Sequence, residues 1–435
     1  MWNEIRNIAL IELKQSNQKL GFKALIFLLA TFIIFSIISS HHKQQRSSIE
    51  LQSLQEMVHN NWQDQPDRHP HRVSHYGSIA FREPSPLSYF DIGVSDYSGN
   101  SVFLEAHVQN PSNLSETSQG SSLMRFGRLT PSFILLIILP LLIIFQSGVS
   151  VTKERETRTL AQLISMGVNW RSFLLGKVLG NTMIFLIGVI FSLIFAGVLS
   201  FFIFNGVDFS SDLLIRSLLL CLVYFWYILM WVLLAVTVSA YSEKSSSSVV
   251  TLLGLWIIFV TFMPKSLPSL GAYLFNAPAK PVFDLQINKE IVKGGHGHNV
   301  QAKSFEAKKE KLFKEYGVSK VEDLPVNWRG IAMKEGERHS TEVYSKNYQA
   351  LSSIFDKQNF PLEVAAFFNP VLMAKSLSSA ISFTDYFSSS EFDRQAEEYR
   401  FKMMDKLNDI HTHHIKYEND KKPVSYTHLT LPTKA

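Results

Sequence analysis

Five apolar runs, each long or nearly long enough to cross a bilayer, constrain this chain more than any other feature. Residues 22–40, 132–151, 178–204, 213–240 and 249–263 carry almost no acidic or basic side chains. A hydrocarbon core about 30 Å thick takes roughly 20 mostly apolar residues at helical rise. The runs therefore read as five membrane-spanning helices, the last the shortest. A soluble fold would have to bury them as very long core helices, whereas globular helices average about 11–12 residues. The predicted fold class is mainly α: a polytopic helical membrane protein with two extracytoplasmic domains, residues 41–131 and 264–423.

Averages hide this pattern. The chain is 46% apolar and its mean hydropathy is +0.07, because the two polar blocks dilute the membrane runs. The net charge of +5 does not point to nucleic acid, since the basic residues flanking the runs read as orientation signals. Cys221 is the single cysteine, so neither a disulfide framework nor a cysteine zinc site can form within the chain. The first 22 residues are charged and amphipathic, and no small-residue cleavage site follows the first run, so that run reads as a retained anchor.

Charge sets the topology. Arg6, Lys14, Lys19 and Lys23 surround the start of the first run; Lys153, Arg155, Arg158, Arg171 and Lys177 lie between the second and third. The link at 205–212 holds Asp208 and Asp212 and no basic residue, and the link at 241–248 pairs Lys244 with Glu243. Positive-inside bias puts residues 1–21, 152–177 and 241–248 in the cytoplasm and both large blocks outside.

Two cytoplasmic pieces carry more than orientation. Trp2, Ile5, Ala9 and Leu13 share one helical face, as in a helix lying on the membrane surface. In residues 152–177, Glu154 and Glu156 open a helix whose N-terminus favours negative charge. Leu160, Leu163 and Ile164 then form an apolar stripe, Gly167 breaks the helix, and Asn169 and Trp170 turn the chain into the next run. Such a helix can rest in a partner's groove, or it can be a plain amphipathic connector.

This segment resembles the one after the second span of ABC-2-type transporter permeases, which typically reads E-x-x-x-G-T-L-x-x-L-L-S-x-P-V, with a Gly-Lys entering the next helix. Here Glu154, Thr159, Leu160, Leu163, Ser165, Val168, Gly176 and Lys177 fit, while Arg158 replaces the glycine and Gly167 the proline. The N-terminal helix, with Glu12, is similar to that family's elbow helix. Residues 86–91 and 369–408 resemble the DUF3526 subgroup, which carries two large outer insertions. The resemblance implies a coupling surface at Glu154, Glu156, Arg158, Leu160, Leu163 and Gly167. It also implies a separate ABC ATPase subunit holding ATP-Mg, a second permease copy or paralogue, and a sixth span in the intact protein.

The last twelve residues, 424–435, match one reading frame of a transposon adapter used in sequencing libraries. The expectation is that the natural protein continues past about Pro423 into that sixth span. No G-x-x-x-x-G-K-[ST] loop occurs, so ATP hydrolysis is expected elsewhere. There is no H-E-x-x-H helix, and the histidines at 41, 42, 296, 298, 411, 413 and 414 show no ligand spacing, so no cofactor or metal is assigned to this chain. The runs hold almost no ionisable groups; Arg216 sits near the outer end of the fourth, where it can snorkel. Together with the resemblance, these features lead to the expectation of a permease subunit of an ATP-driven exporter in the bacterial inner membrane. The alternative is an integral scaffold or sensor whose outer domains bind a partner.

Overall fold

The computed structural model describes residues 1–66, 69–113, 128–203, 210–294 and 303–420. The adapter-like tail, and His296 and His298, lie outside the described residues. Helix α1 (Trp2–Gln18) precedes α2 (Leu20–Gln63), whose 44 residues far exceed a bilayer's thickness. Residues 41–63 contain neither Gly nor Pro, so nothing stops the helix where its apolar stretch ends. At residue 40 the side chains change from mostly apolar to mostly polar while the helix runs on.

The first polar block then forms α3 (Pro70–Tyr76) and a small antiparallel sheet of β1 (Ser78–Phe81), β2 (Ser101–Glu105) and β3 (Val108–Gln109), in that spatial order. Ser78 pairs with Leu104 and Phe81 with Ser101, which turns Val102 and Leu104 to one face. That face packs on Phe392, Ala396, Tyr399 and Met403, whose spacing of three to four residues in the sequence makes one helical stripe. The two polar blocks meet there and again where Arg82 donates to Ser389 Oγ (2.6 Å) and the Phe383 carbonyl (2.9 Å).

The next elements are α4 (residues 131–147), α5 (Thr152–Glu156), α6 (Thr159–Ser165), α7 (Trp170–Ile203), α8 (Ser211–Tyr241) and α9 (Ser245–Leu274). Five helical segments are long and apolar enough to cross a membrane: α2, the α4–α5 stretch, α7, α8 and α9. Their outward faces are oil: Phe27, Phe35, Ile187, Phe191, Leu218, Leu222, Ile258 and Phe262 are all exposed. Helix α4 is the hub, with Ile134, Leu135, Leu139, Ile143 and Ile144 buried against Tyr227, Ile228 and Trp231 of α8.

Prolines inside two of these segments explain their irregular turns. Pro140 has no N–H and its ring crowds the carbonyl four residues back, Leu136. Around it Ile134–Ile138 winds as a π-helix; Tyr227 Oη donates to the Leu136 carbonyl at 2.6 Å and Trp256 Nε1 to that of Ile137 at 3.2 Å. In α9, Ile257–Phe262 is also π-helical ahead of Pro264, and Asn369 Nδ2 donates to the Phe259 carbonyl at 2.9 Å. Neighbouring side chains thus satisfy backbone groups that lipid could not.

The second polar block contains α10 (Lys280–Gly294), α11 (Lys303–Tyr316), α12 (Trp328–Ala366), α13 (Pro370–Ile381) and α14 (Tyr386–His414). It is not a separate body beside the bundle. Val371 and Ala374 of α13 belong to the same buried core as α4 and α8, and Tyr224 Oη lies 3.1 Å from Ser378 Oγ. Arg216 does not snorkel to water: it is 9% exposed, paired with Asp212 at 2.7 Å and laid 4.5 Å over the Phe383 ring. The polar segments above α8 supply what solvent would have supplied.

Candidate functional site

On the side of the bundle where α1, α5 and the start of α7 converge, helix packing forces charges together. Helix α1 buries Ile5, Ala9, Glu12 and Ser16 against α7; Trp2 is 66% exposed and has left that face. The approach is close because α7 offers Gly176 and Gly180. A Cβ on Gly176 would stand 2.7 Å from the Ile8 Cβ, and one on Gly180 2.8 Å from the Glu12 Cβ. Lys177 lies between these glycines and so projects into the same seam.

Lys177 Nζ donates to Glu12 Oε2 at 2.6 Å and to Glu154 Oε1 at 2.9 Å. The Lys177 and Glu12 side chains are only 5% and 6% exposed, and Glu154 18%. Two carboxylates on one ammonium leave the node one negative charge in excess. Asn181 Nδ2 donates to Glu12 Oε1 (3.3 Å), Ser147 Oγ to Asn181 Oδ1 (3.0 Å), and Gln146 Nε2 to Ser16 Oγ (2.7 Å), which ties α4 into the network. Thr159 donates to the free oxygen of Glu154. Lys19 stands nearby, its ammonium lowered first by burial and then by the charge of Lys153.

The rest of α5 is fastened to two other helices by end-capping. Arg155 donates through Nη2 to the Ala240 carbonyl at 2.8 Å and through Nη1 to that of Ser242, a cation on the C-terminus of α8. Glu156 accepts from Ser245 N at 2.7 Å and Ser245 Oγ at 2.9 Å, an anion on the N-terminus of α9. Ser239 Oγ accepts from Val151 N at 3.1 Å. Residues 152–156 therefore bond to three long helices, α7, α8 and α9, and through Lys177 to Glu12 of α1.

The six residues read from sequence divide in two. Glu154, Leu160 and Leu163 face inward, the last two onto the bundle core. Glu156, Arg158 and Gly167 are exposed. The expected single helix is broken: Arg158 takes a left-handed φ of 62°, so α5 ends and α6 restarts with a new phase. That phase leaves Ile164 51% exposed, outside the buried stripe, with Met166 81% exposed beside it. Gly167 has φ +85°, a value proline cannot adopt, which accounts for the glycine at this position. Sequence reading missed Arg155 and Ser245 as partners and gave Lys177 no site role. The signal for Lys177 was its place in a Gly-x-x-x-Gly spacing, 176 to 180.

No curated protein matches the sequence. Residues 282–430 match a family described as Domain of unknown function (DUF3526), and residues 6–303, more than half the chain, match the family described as ABC-2 family transporter protein. With its membrane-length helices, the chain belongs to the ABC-2 transporter family, as a permease component with a DUF3526 region.

Proposed function

We propose that this chain is the membrane-spanning permease of an ATP-driven exporter and that α5 is the element through which a separate ATPase moves the spans. The observation that carries the reading is the set of attachments made by Thr152–Glu156. Glu154 joins α7 and, through Lys177, Glu12 of α1; Arg155 joins α8, and Glu156 joins α9. A push on such an element is shared among helices whose other contacts are mainly apolar packing with a few hydrogen bonds.

The ATPase lands on the exposed outer side of α6, where Arg158, Ile164 and Met166 present a cation and two apolar side chains. ATP-Mg is held there and not by this chain. ATP-driven closure of two such subunits, beneath a pair of permeases in the bacterial inner membrane, tilts α5 and carries substrate outward. The N-terminus, α5 and α6 are cytoplasmic in this arrangement, and α10–α14 are outside.

The test is co-expression with an ABC ATPase subunit from the same genome, followed by reconstitution of the purified complex. Glu154→Gln and Lys177→Met are expected to insert and to bind the ATPase, while permease-dependent stimulation of ATP hydrolysis falls at least about tenfold, the loss of about 1.4 kcal/mol of coupling. Full stimulation in both variants removes α5 as the coupling element. Failure of any ATPase to co-purify favours the scaffold or sensor reading over the exporter.

A further inference from the structure

Histidines that look scattered in the sequence converge in the outer region. His71 and His75 stand one turn apart on α3, on the same side. His107 sits in the tight connection between β2 and β3, where a φ of 66° swings it toward α3. The ring centroids lie 4.7 Å (71–75), 5.4 Å (75–107) and 5.9 Å (71–107) apart. One ring nitrogen from each of the three lies within 4.8 Å of the other two.

We infer that His71, His75 and His107 form a binding site for a borderline divalent transition-metal ion, of the Zn²⁺ or Cu²⁺ type, on the outer face of the permease.

The surroundings of His107 are those of a metal ligand. Its Nδ1 lies 3.0 Å from Glu337 Oε2, and its backbone N–H donates to the same oxygen at 2.8 Å. A carboxylate only accepts, so a proton on Nδ1 would suit this contact and leave Nε2 as the ligating atom. A carboxylate behind a ligating imidazole fixes its tautomer and strengthens its basicity. Glu337 is itself locked by Arg400, and both side chains are 1% exposed. His75 is exposed while His107 is buried, which leaves the site an entry from solvent and a position for a fourth ligand. Three nitrogen donors suit zinc or copper and not calcium or magnesium, which need oxygen cages.

A second cluster, His69, His411 and Asp420, lies close by and is of another kind. Asp420 already accepts from Arg329 Nη1 (2.7 Å), Asn327 Nδ2 (2.9 Å) and His411 Nε2 (2.6 Å). The guanidinium occupies the place a cation would take, so this group closes the end of α14 onto α12 by an ion pair and hydrogen bonds.

The test uses the full-length chain in detergent, stripped by chelator and titrated with Zn²⁺ and, separately, Cu²⁺ against a chromophoric competitor, with Mg²⁺ and Ca²⁺ as controls. One equivalent of Zn²⁺ or Cu²⁺ is expected to bind. His71→Ala and His75→Ala should each weaken binding by more than tenfold, Glu337→Gln by about 10–100-fold, and exposed His413→Ala not at all. His75→Ala alters an exposed side chain, so its loss of binding is not a loss of fold. Absence of binding, unchanged binding in His71→Ala and His75→Ala, or loss only in His411→Ala would each overturn the site.

Discussion

Arg158 occupies a backbone conformation that suits another residue. Its φ of 62° lies in the left-handed region, where a side chain costs roughly 1–2 kcal/mol relative to glycine, offset in part by the greater unfolded-state freedom of glycine, about 0.5–1 kcal/mol. The family's segment typically has glycine at this position, and here the arginine retains the turn that a glycine would make freely. Arg158→Gly should therefore stabilise the purified protein by about 0.5–1 kcal/mol in thermal or denaturant unfolding. A destabilised variant would mean that the exposed guanidinium holds the turn. Gly167 is the converse case: a Cβ there meets nothing within 4 Å, yet φ is +85°, so Gly167→Ala should cost about 1 kcal/mol through the backbone alone. The departures from the family's pattern at 158 and 167 were legible as letters. That one stores strain and the other relieves it needed φ.

At the level of elements, α12 and α14 are clamped by a buried ion pair. Arg400 donates to Glu337 and, through Nε, to Glu397 Oε2 at 2.7 Å. Burial alone would raise the Glu337 pKa; the hydrogen bond from His107 and the charge of Arg400 outweigh it and hold the carboxyl at about 2. A folded pKa below the unfolded one means that the charge stabilises the fold above the ordinary glutamate range. That contribution should be intact at pH 7 and lost as pH falls from about 4.5 toward 2. Glu337→Gln should destabilise the protein by about 3 kcal/mol near neutrality and flatten that acid limb, read by denaturant unfolding across pH. An unchanged acid limb would assign it to other carboxylates. Elements built on periodicity were readable in advance: the stripe of Phe392, Ala396, Tyr399 and Met403 is the one that packs on the sheet. Sites built on convergence were not. Glu12 lies 165 residues from Lys177, and His71 and His107 belong to different elements. Glu12 also sits within an amphipathic helix, where an acidic residue reads as solvent-facing until a glycine-lined neighbour closes over it.

For the whole molecule the open quantity is orientation, and the structure alters how its charges should be counted. Of the basic residues between the second and third apolar runs, Lys177 is consumed by Glu12 and Glu154, and Arg155 by the carbonyls ending α8. Lys153, Arg158 and Arg171 remain exposed. These three still outweigh the nearest acid facing solvent, Glu156, which caps α9. The link between α7 and α8 has no basic residue to oppose them. Positive-inside bias therefore survives the subtraction and supports the proposed placement of α5 and α6 in the cytoplasm. Lys346 of α12 has a side chain that is 78% exposed and should then face outward. With Cys221, the single native thiol, replaced by serine, a cysteine can be placed at either site. Lys346→Cys should react with a membrane-impermeant maleimide once the outer envelope is opened, with the inner membrane sealed. Arg158→Cys should react only after the inner membrane is permeabilised. The reverse pattern would invert the molecule and put α5 beyond the reach of any cytoplasmic ATPase.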